Sequence, residues 1–149
     1  MTATTSRSLA ETKAFAQELL ERLAVGASAH ASVLALYGDL GAGKTALTKE
    51  IALLLGVRDT VNSPTFVLEK IYRTMHPHFK KLVHIDAYRL ERPEELNQLG
   101  WSELIADTDS LIVVEWADKV EEFLPEGTLR VHADFIDETT RQFNIHGQD

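Results

Sequence analysis

Two stretches of the chain are apolar without interruption. Val33-Leu34-Ala35-Leu36-Tyr37 is the first, and Leu111-Ile112-Val113-Val114 followed by Glu115 is the second. Continuous apolar runs of this length suit parallel strands covered on both faces. Other segments repeat at helical spacing. From Ser8 to about Val25, Phe15, Leu19, Leu20 and Leu23 form one stripe, and Ser8 with Glu11 makes a capping box at its start. From Lys44 to Leu55 the stripe is Leu47, Ile51, Leu54 and Leu55, with Gly56 where a helix would stop.

The rest is shorter. Thr65 to Tyr72 has strand composition, Arg73 to Lys80 is a turn, and Lys81 to Asp86 returns as the second strand of a hairpin. Pro93-Glu94-Glu95 opens a short helix that ends at Gly100, and Trp101 to Ala106 adds a turn or two. Asp118 to Leu124 reads as a further short helix. Leu129 to Ile136 and Arg141 to His146 read as a terminal hairpin. Strands alternating with helices predict a three-layer α/β fold with a mainly parallel central sheet and antiparallel hairpin additions. No repeat or linker divides the sequence, so residues 1–149 are expected to form one domain.

Composition narrows the partners. The net charge is −8. An acidic surface disfavours direct, sequence-independent binding of nucleic acid, which needs a basic footprint. There is no cysteine, which excludes disulfides and thiolate metal sites. No apolar stretch approaches a membrane span, and Met1 to Ser8 is polar with a single Arg7, unlike a signal peptide. A cytoplasmic protein is the expectation.

Between the first apolar run and the helix after it stands Gly38-Asp39-Leu40-Gly41-Ala42-Gly43-Lys44-Thr45. This is G-x-x-x-x-G-K-[ST], the phosphate-binding P-loop, in its required strand–loop–helix setting. Glycines let successive backbone N–H groups turn inward around a phosphate chain. Lys44 adds a flexible cation, Thr45 offers a hydroxyl to magnesium, and the helix directs the positive end of its dipole at the same place. Magnesium nucleotide needs acid groups besides Thr45. Glu115 ends an apolar strand, where such sheets bind ligands, and Asp86 ends another strand with His84 on its face. Ser63-Pro64-Thr65 forms a rigid polar turn in the region where P-loop enzymes sense the outer phosphate. His76-Pro77-His78 offers two ligands in a turn, too few for a closed metal site. His84 reads as a hydrogen-bonding partner of neighbouring groups.

GDLGAGKT at 38–45, Ser63-Pro64-Thr65-Phe66, His84-Ile85-Asp86-Ala87-Tyr88-Arg89-Leu90, Pro93-Glu94-Glu95-Leu96 and Val114-Glu115-Trp116 together resemble the bacterial TsaE (YjeE) family in order and spacing. The resemblance spans about Tyr37 to Leu124. It implies a P-loop NTPase fold and an ATPase that supports threonylcarbamoyl modification of adenosine in tRNA by acting with TsaD and TsaB. ATP and Mg2+ would be the cofactors, and tRNA would be met mainly through the partners. By motif, Gly41, Ala42, Gly43, Lys44, Thr45 and Ala46 would bind phosphates. Thr45, Glu115 and Asp86 would hold magnesium, with Lys44, Asp86 and Glu115 serving hydrolysis. Ser63, Pro64 and Thr65 would be the switch. Glu11, Thr12 and Arg141 would hold the nucleoside.

Fast hydrolysis also needs a cation aimed at the developing charge. Arg89 is the arginine beside a candidate acid, and it stands with Trp116 as a candidate for transition-state or partner contact. Turnover of the isolated chain is therefore expected to be slow. Two rival functions remain: a small-molecule kinase, disfavoured by scattered arginines with no lid segment, and a nucleotide-binding adaptor that needs no turnover.

Overall fold

The computed structural model describes residues 2–25, 29–39, 42–58 and 69–147. They run as β1 (Thr2–Ser6), α1 (Leu9–Val25), β2 (Ser32–Tyr37), α2 (Lys44–Leu54), β3 (Glu69–Arg73) and β4 (Lys81–Asp86). Two 3₁₀ helices follow, Ala87–Arg89 and Pro93–Leu99, then α3 (Trp101–Ala106), β5 (Ser110–Glu115), a third 3₁₀ stretch at Ala117–Phe123, β6 (Leu129–Asp137) and β7 (Thr140–Gly147). The strands form one sheet in the order β1-β7-β6-β2-β5-β4-β3. The four central strands, β6, β2, β5 and β4, are parallel. Antiparallel strands flank them: β3 against β4, and β7 and β1 beyond β6.

Alternation along the central strands sorts the core into two halves. Leu34 and Leu36 of β2, with Leu111 and Val113 of β5, pack under α1 and α2 against Leu19, Leu47 and Ile51. Val33, Ala35 and Tyr37, with Ile112 and Val114, face Leu96, Trp101 and Val120 of the α3 and 3₁₀ layer. Helices thus cover both faces, which is why β2 and β5 read as unbroken apolar runs. Complete burial of a Leu or Ile side chain is worth roughly 1.5–3 kcal/mol, and Leu34, Leu36, Leu47 and Ile51 are fully buried.

β1 has no counterpart in the hydrophobic pattern. Thr2-Ala3-Thr4-Thr5-Ser6 pairs antiparallel with β7, from Thr2↔Ile145 to Ser6↔Arg141. It is held as an edge strand by ladder hydrogen bonds and β-branched side chains rather than by an apolar face. The segment opened by Pro93 forms a 3₁₀ helix, its start capped where the Glu95 carboxylate accepts from the backbone N–H of Arg92 at 2.8 Å. The Asp118–Leu124 segment is also 3₁₀, interrupted at Val120. The strand expected over Thr65–Tyr72 is described only from Glu69. Its first part, and the switch residues Ser63, Pro64 and Thr65, lie outside the described residues, as does Gly41.

Candidate nucleotide site

β2 lies between β5 and β6, and the chain connects away from it to opposite sides of the sheet. The carboxyl end of such a central strand opens onto the crevice where α/β sheets bind ligands. Gly38 leaves β2 there, and Gly43 caps α2. Both have left-handed backbone, at φ 134° and 104°. At Gly38 a Cβ atom would meet the carbonyl oxygen of Ala133 at 2.3 Å. Glycine is therefore required by a close approach to β6 as well as by the turn. Gly43 lies against the stem of Arg141, whose Cγ would be 3.3 Å from an added Cβ.

Lys44 opens α2 and is buried, with 5% exposure. Its Nζ donates to the carbonyls of Gly38 and Asp39, the latter at 3.4 Å. It also sits 3.6 Å from the centroid of the Trp116 ring, a cation–π contact. Burial pushes the ammonium below the usual lysine range, and the nearby carboxylates of Glu115, Asp118, Asp39 and Asp86 act in the opposite direction. Trp116 reaches Lys44 from a left-handed backbone at φ 59°, the one positive φ at a non-glycine among the described residues. That conformation costs roughly 1–2 kcal/mol. Tyr88 supports the indole, with ring centroids 4.9 Å apart.

Thr45, Glu115, Asp86 and His84 converge on the same side of the sheet. Glu115 ends β5 at 2% exposure, so it is a buried carboxylate rather than a solvated acid at a strand end. Thr45 Oγ1 donates to its Oε1 at 3.3 Å. Its other oxygen, Oε2, is in close contact with Nε2 of His84, itself fully buried. Asp86 stands opposite Glu115 in the β4–β5 register and is 6% exposed. It accepts the backbone N–H of Tyr88 at 3.0 Å, so it also caps the turn that carries Tyr88 and Arg89.

The donor set suits a hard divalent cation: a hydroxyl and two carboxylates, all oxygen. Among the described residues no group of three or more His, Cys, Asp or Glu is arranged to hold a metal. Magnesium needs no such cage, since it keeps waters and takes phosphate oxygens as further ligands.

A cavity of about 290 Å³ adjoins the loop. Gly43, Ala46, Thr12 and Arg141 line it together with Ser6 and Phe143. Its shape depends on both chain ends. Ser6 Oγ and Thr12 Oγ1 are 2.7 Å apart, tying β1 to α1. Phe143 stacks on Phe15 with centroids 4.8 Å apart. The Arg141 guanidinium is held by the carbonyls of Asp137 at 2.6 Å and Thr140 at 3.1 Å. Glu11 is engaged elsewhere: its carboxylate accepts the backbone N–H of Arg7 at 3.2 Å, and its own N–H donates to Ser8 Oγ at 3.1 Å.

Residues 6–143 match the family model described as "Threonylcarbamoyl adenosine biosynthesis protein TsaE". The chain belongs to the TsaE family. Proteins named "tRNA threonylcarbamoyladenosine biosynthesis protein TsaE" agree with it: that of Rickettsia prowazekii is 35% identical over 95% of this chain and 92% of its own length. That of Haemophilus influenzae is 40% identical over 69% of this chain and 63% of its own length. Among solved structures, Bacillus subtilus YdiB superposes with a TM-score of 0.73 at 30% identity, over 99% of this chain and 86% of that one. The fold is that of a P-loop NTPase.

Arg89 ends the first 3₁₀ turn and is exposed, three residues beyond the capping residue Asp86. Lys119 fixes that turn by donating to the Tyr88 carbonyl at 2.6 Å and the Leu90 carbonyl at 3.3 Å. The paired histidines behave as turn residues, with Nδ1 of His76 accepting the backbone N–H groups of His78 and Phe79. Ser6 and Phe143 escaped the sequence reading as cavity residues. The alternation of Phe143 and Ile145 along β7 is the signal that would have pointed Phe143 inward. No helix among the described residues is long and apolar enough to cross a membrane.

Proposed function

We propose that this protein is a magnesium-dependent ATPase that supports threonylcarbamoyl-adenosine modification of tRNA by acting on a TsaD–TsaB-type complex. One observation carries the ATPase reading: Lys44 and Thr45 begin a helix at the end of β2, with the buried Glu115 carboxylate 3.3 Å from the Thr45 hydroxyl and Asp86 beside it on the next strand. The names of the relatives support the pathway.

In this reading the backbone from Gly41 to Ala46 and the Lys44 ammonium bind the phosphates. Thr45, Glu115 and Asp86 hold magnesium, which neutralises charge on the phosphate oxygens. The cavity beside Gly43 and Ala46 takes the nucleoside, with Thr12 and Arg141 as contacts. Glu11 serves that pocket indirectly, by capping the helix that carries Thr12. Asp86 orients or deprotonates the attacking water, or serves the metal beside it. Ser63, Pro64 and Thr65 act as the switch, and Arg89 and Trp116 meet the partner or the transition state. The acidic chain leaves most tRNA contact to its partners.

Calorimetric titration with ATP and magnesium tests the site. Lys44→Ala is expected to weaken binding at least tenfold, because the ammonium is the one cation inside the loop. Unchanged affinity overturns the assignment. A kinase is distinguished by phosphoryl transfer to a nucleoside or metabolite in place of water.

A further inference from the structure

Among the described residues His84 is the one fully buried titratable side chain at this site, and the functions proposed above give it no task. It lies on β4 two residues before Asp86, on the face shared with Glu115. Its Nε2 meets Glu115 Oε2, and its buried Nδ1 has no hydrogen-bond partner among the described residues. A carboxylate only accepts, so in this contact Nε2 donates to Oε2.

The contact also divides the labour of one carboxylate. Oε2 is held by the imidazole, and Oε1 faces Thr45 Oγ1. A glutamate at a strand end has one more rotatable bond than an aspartate, and fixing such a side chain costs up to about 2 kcal/mol of rotamer entropy. The nearest anchor is a ring locked inside the sheet between β3 and β5, opposite Lys70 and Val113.

We propose that His84 is a positioning residue for metal binding: it fixes the Glu115 carboxylate so that Oε1, not Oε2, is presented with Thr45 to the divalent cation. Partners of this kind, hydrogen-bonded behind a ligand, typically change metal affinity about 10- to 100-fold. The proposal rests on the reading of Glu115 as a magnesium ligand.

The test uses Mn2+ as the probe, titrated into the full-length protein loaded with ADP and followed by electron paramagnetic resonance. ADP affinity is measured separately in EDTA. His84→Gln keeps a donor near the Nε2 position, whereas His84→Asn places its amide short of Glu115. His84→Asn is expected to weaken Mn2+ binding about 10- to 100-fold while leaving metal-free ADP affinity unchanged, and His84→Gln to restore Mn2+ binding to within about threefold. A merely structural histidine would lower both affinities together and show no rescue by Gln. That pattern, or an Asn variant that does not fold, overturns the proposal. Glu115→Gln separates the two levels. If it weakens Mn2+ binding and His84→Asn does not, the role of His84 alone is refuted. If Glu115→Gln leaves Mn2+ binding intact, the metal site itself is misassigned and the role of His84 falls with it.

Discussion

Asp86 has two tasks in this structure, and a pair of substitutions separates them. Its carboxylate caps the turn at Ala87–Arg89 by accepting the Tyr88 N–H at 3.0 Å, and it stands beside Glu115 at the site. Asp86→Asn keeps an oxygen acceptor and removes the charge. Asp86→Ala removes both. Loss of a capping acceptor costs about 1 kcal/mol, within a range of roughly 0.5–2. In a chain of 149 residues that corresponds to a fall in Tm of about 2–4 °C. Asp86→Asn should stay within about 0.5 kcal/mol of the parent, because the cap survives. Turnover should behave differently. A carboxylate that serves the metal or the attacking water contributes on the order of 10²- to 10⁴-fold, so both variants should lose that much. Urea unfolding reads the first effect, and phosphate release at saturating ATP and magnesium reads the second. If Asp86→Asn turns over within about threefold of the parent, Asp86 is a turn residue alone. If it is as unstable as Asp86→Ala, the capping account is wrong.

Further expectations follow from other residues. Gly38→Ala sets a Cβ 2.3 Å from the Ala133 carbonyl oxygen at a left-handed φ; it should cost about 2–4 kcal/mol in urea unfolding, and a cost under 0.5 kcal/mol would contradict the close approach. Arg141→Ala should weaken ATP about tenfold and leave tripolyphosphate binding unchanged, since it lines the cavity proposed for the nucleoside; equal loss for both ligands would place it with the phosphates. His76 is held below its ordinary value near 6.5, first by burial and then by His78 and Lys80. The unfolded chain therefore binds the proton more readily, and stability falls as pH drops below about 6.5. His76→Asn, which keeps an acceptor near the Nδ1 position for the backbone of His78 and Phe79, should flatten that slope between pH 7 and pH 5, and an unchanged slope would assign it to another group.

The parts of this protein that were legible in its sequence are those where burial leaves no choice. β2 and β5 are covered on both faces, so beyond the serines that open them, Ser32 and Ser110, their composition is apolar until Glu115, which stands out as the exception. The P-loop was legible for the same reason: Gly38 and Gly43 occupy backbone that other residues resist, one of them against Ala133. β1 was not legible. An edge strand of Thr and Ser gains from the ladder to β7 and carries no period in hydrophobicity. Ser6 and Phe143 were not legible as cavity residues, because β1 and β7 bring them beside Thr12 and Ala46 from far away in sequence. His84 was legible only as a hydrogen-bonding group. Its partner is set by β4 lying beside β5 in a register that places Asp86 opposite Glu115, and no local pattern encodes that pairing. The contact of Lys44 with Trp116 likewise depends on the left-handed turn at Trp116, a conformation that tryptophan does not advertise.

In the function proposed above, the Lys44, Thr45, Asp86 and Glu115 site hydrolyses ATP under the control of a partner complex. Steady-state phosphate release by the purified protein with magnesium, alone and with a stoichiometric TsaD–TsaB complex, tests this. Slow turnover alone, a rise of at least tenfold with the partners, and loss of that rise in Glu115→Gln are expected. Rapid turnover alone that the partners leave unchanged, or partner-stimulated turnover that survives Glu115→Gln, would contradict it.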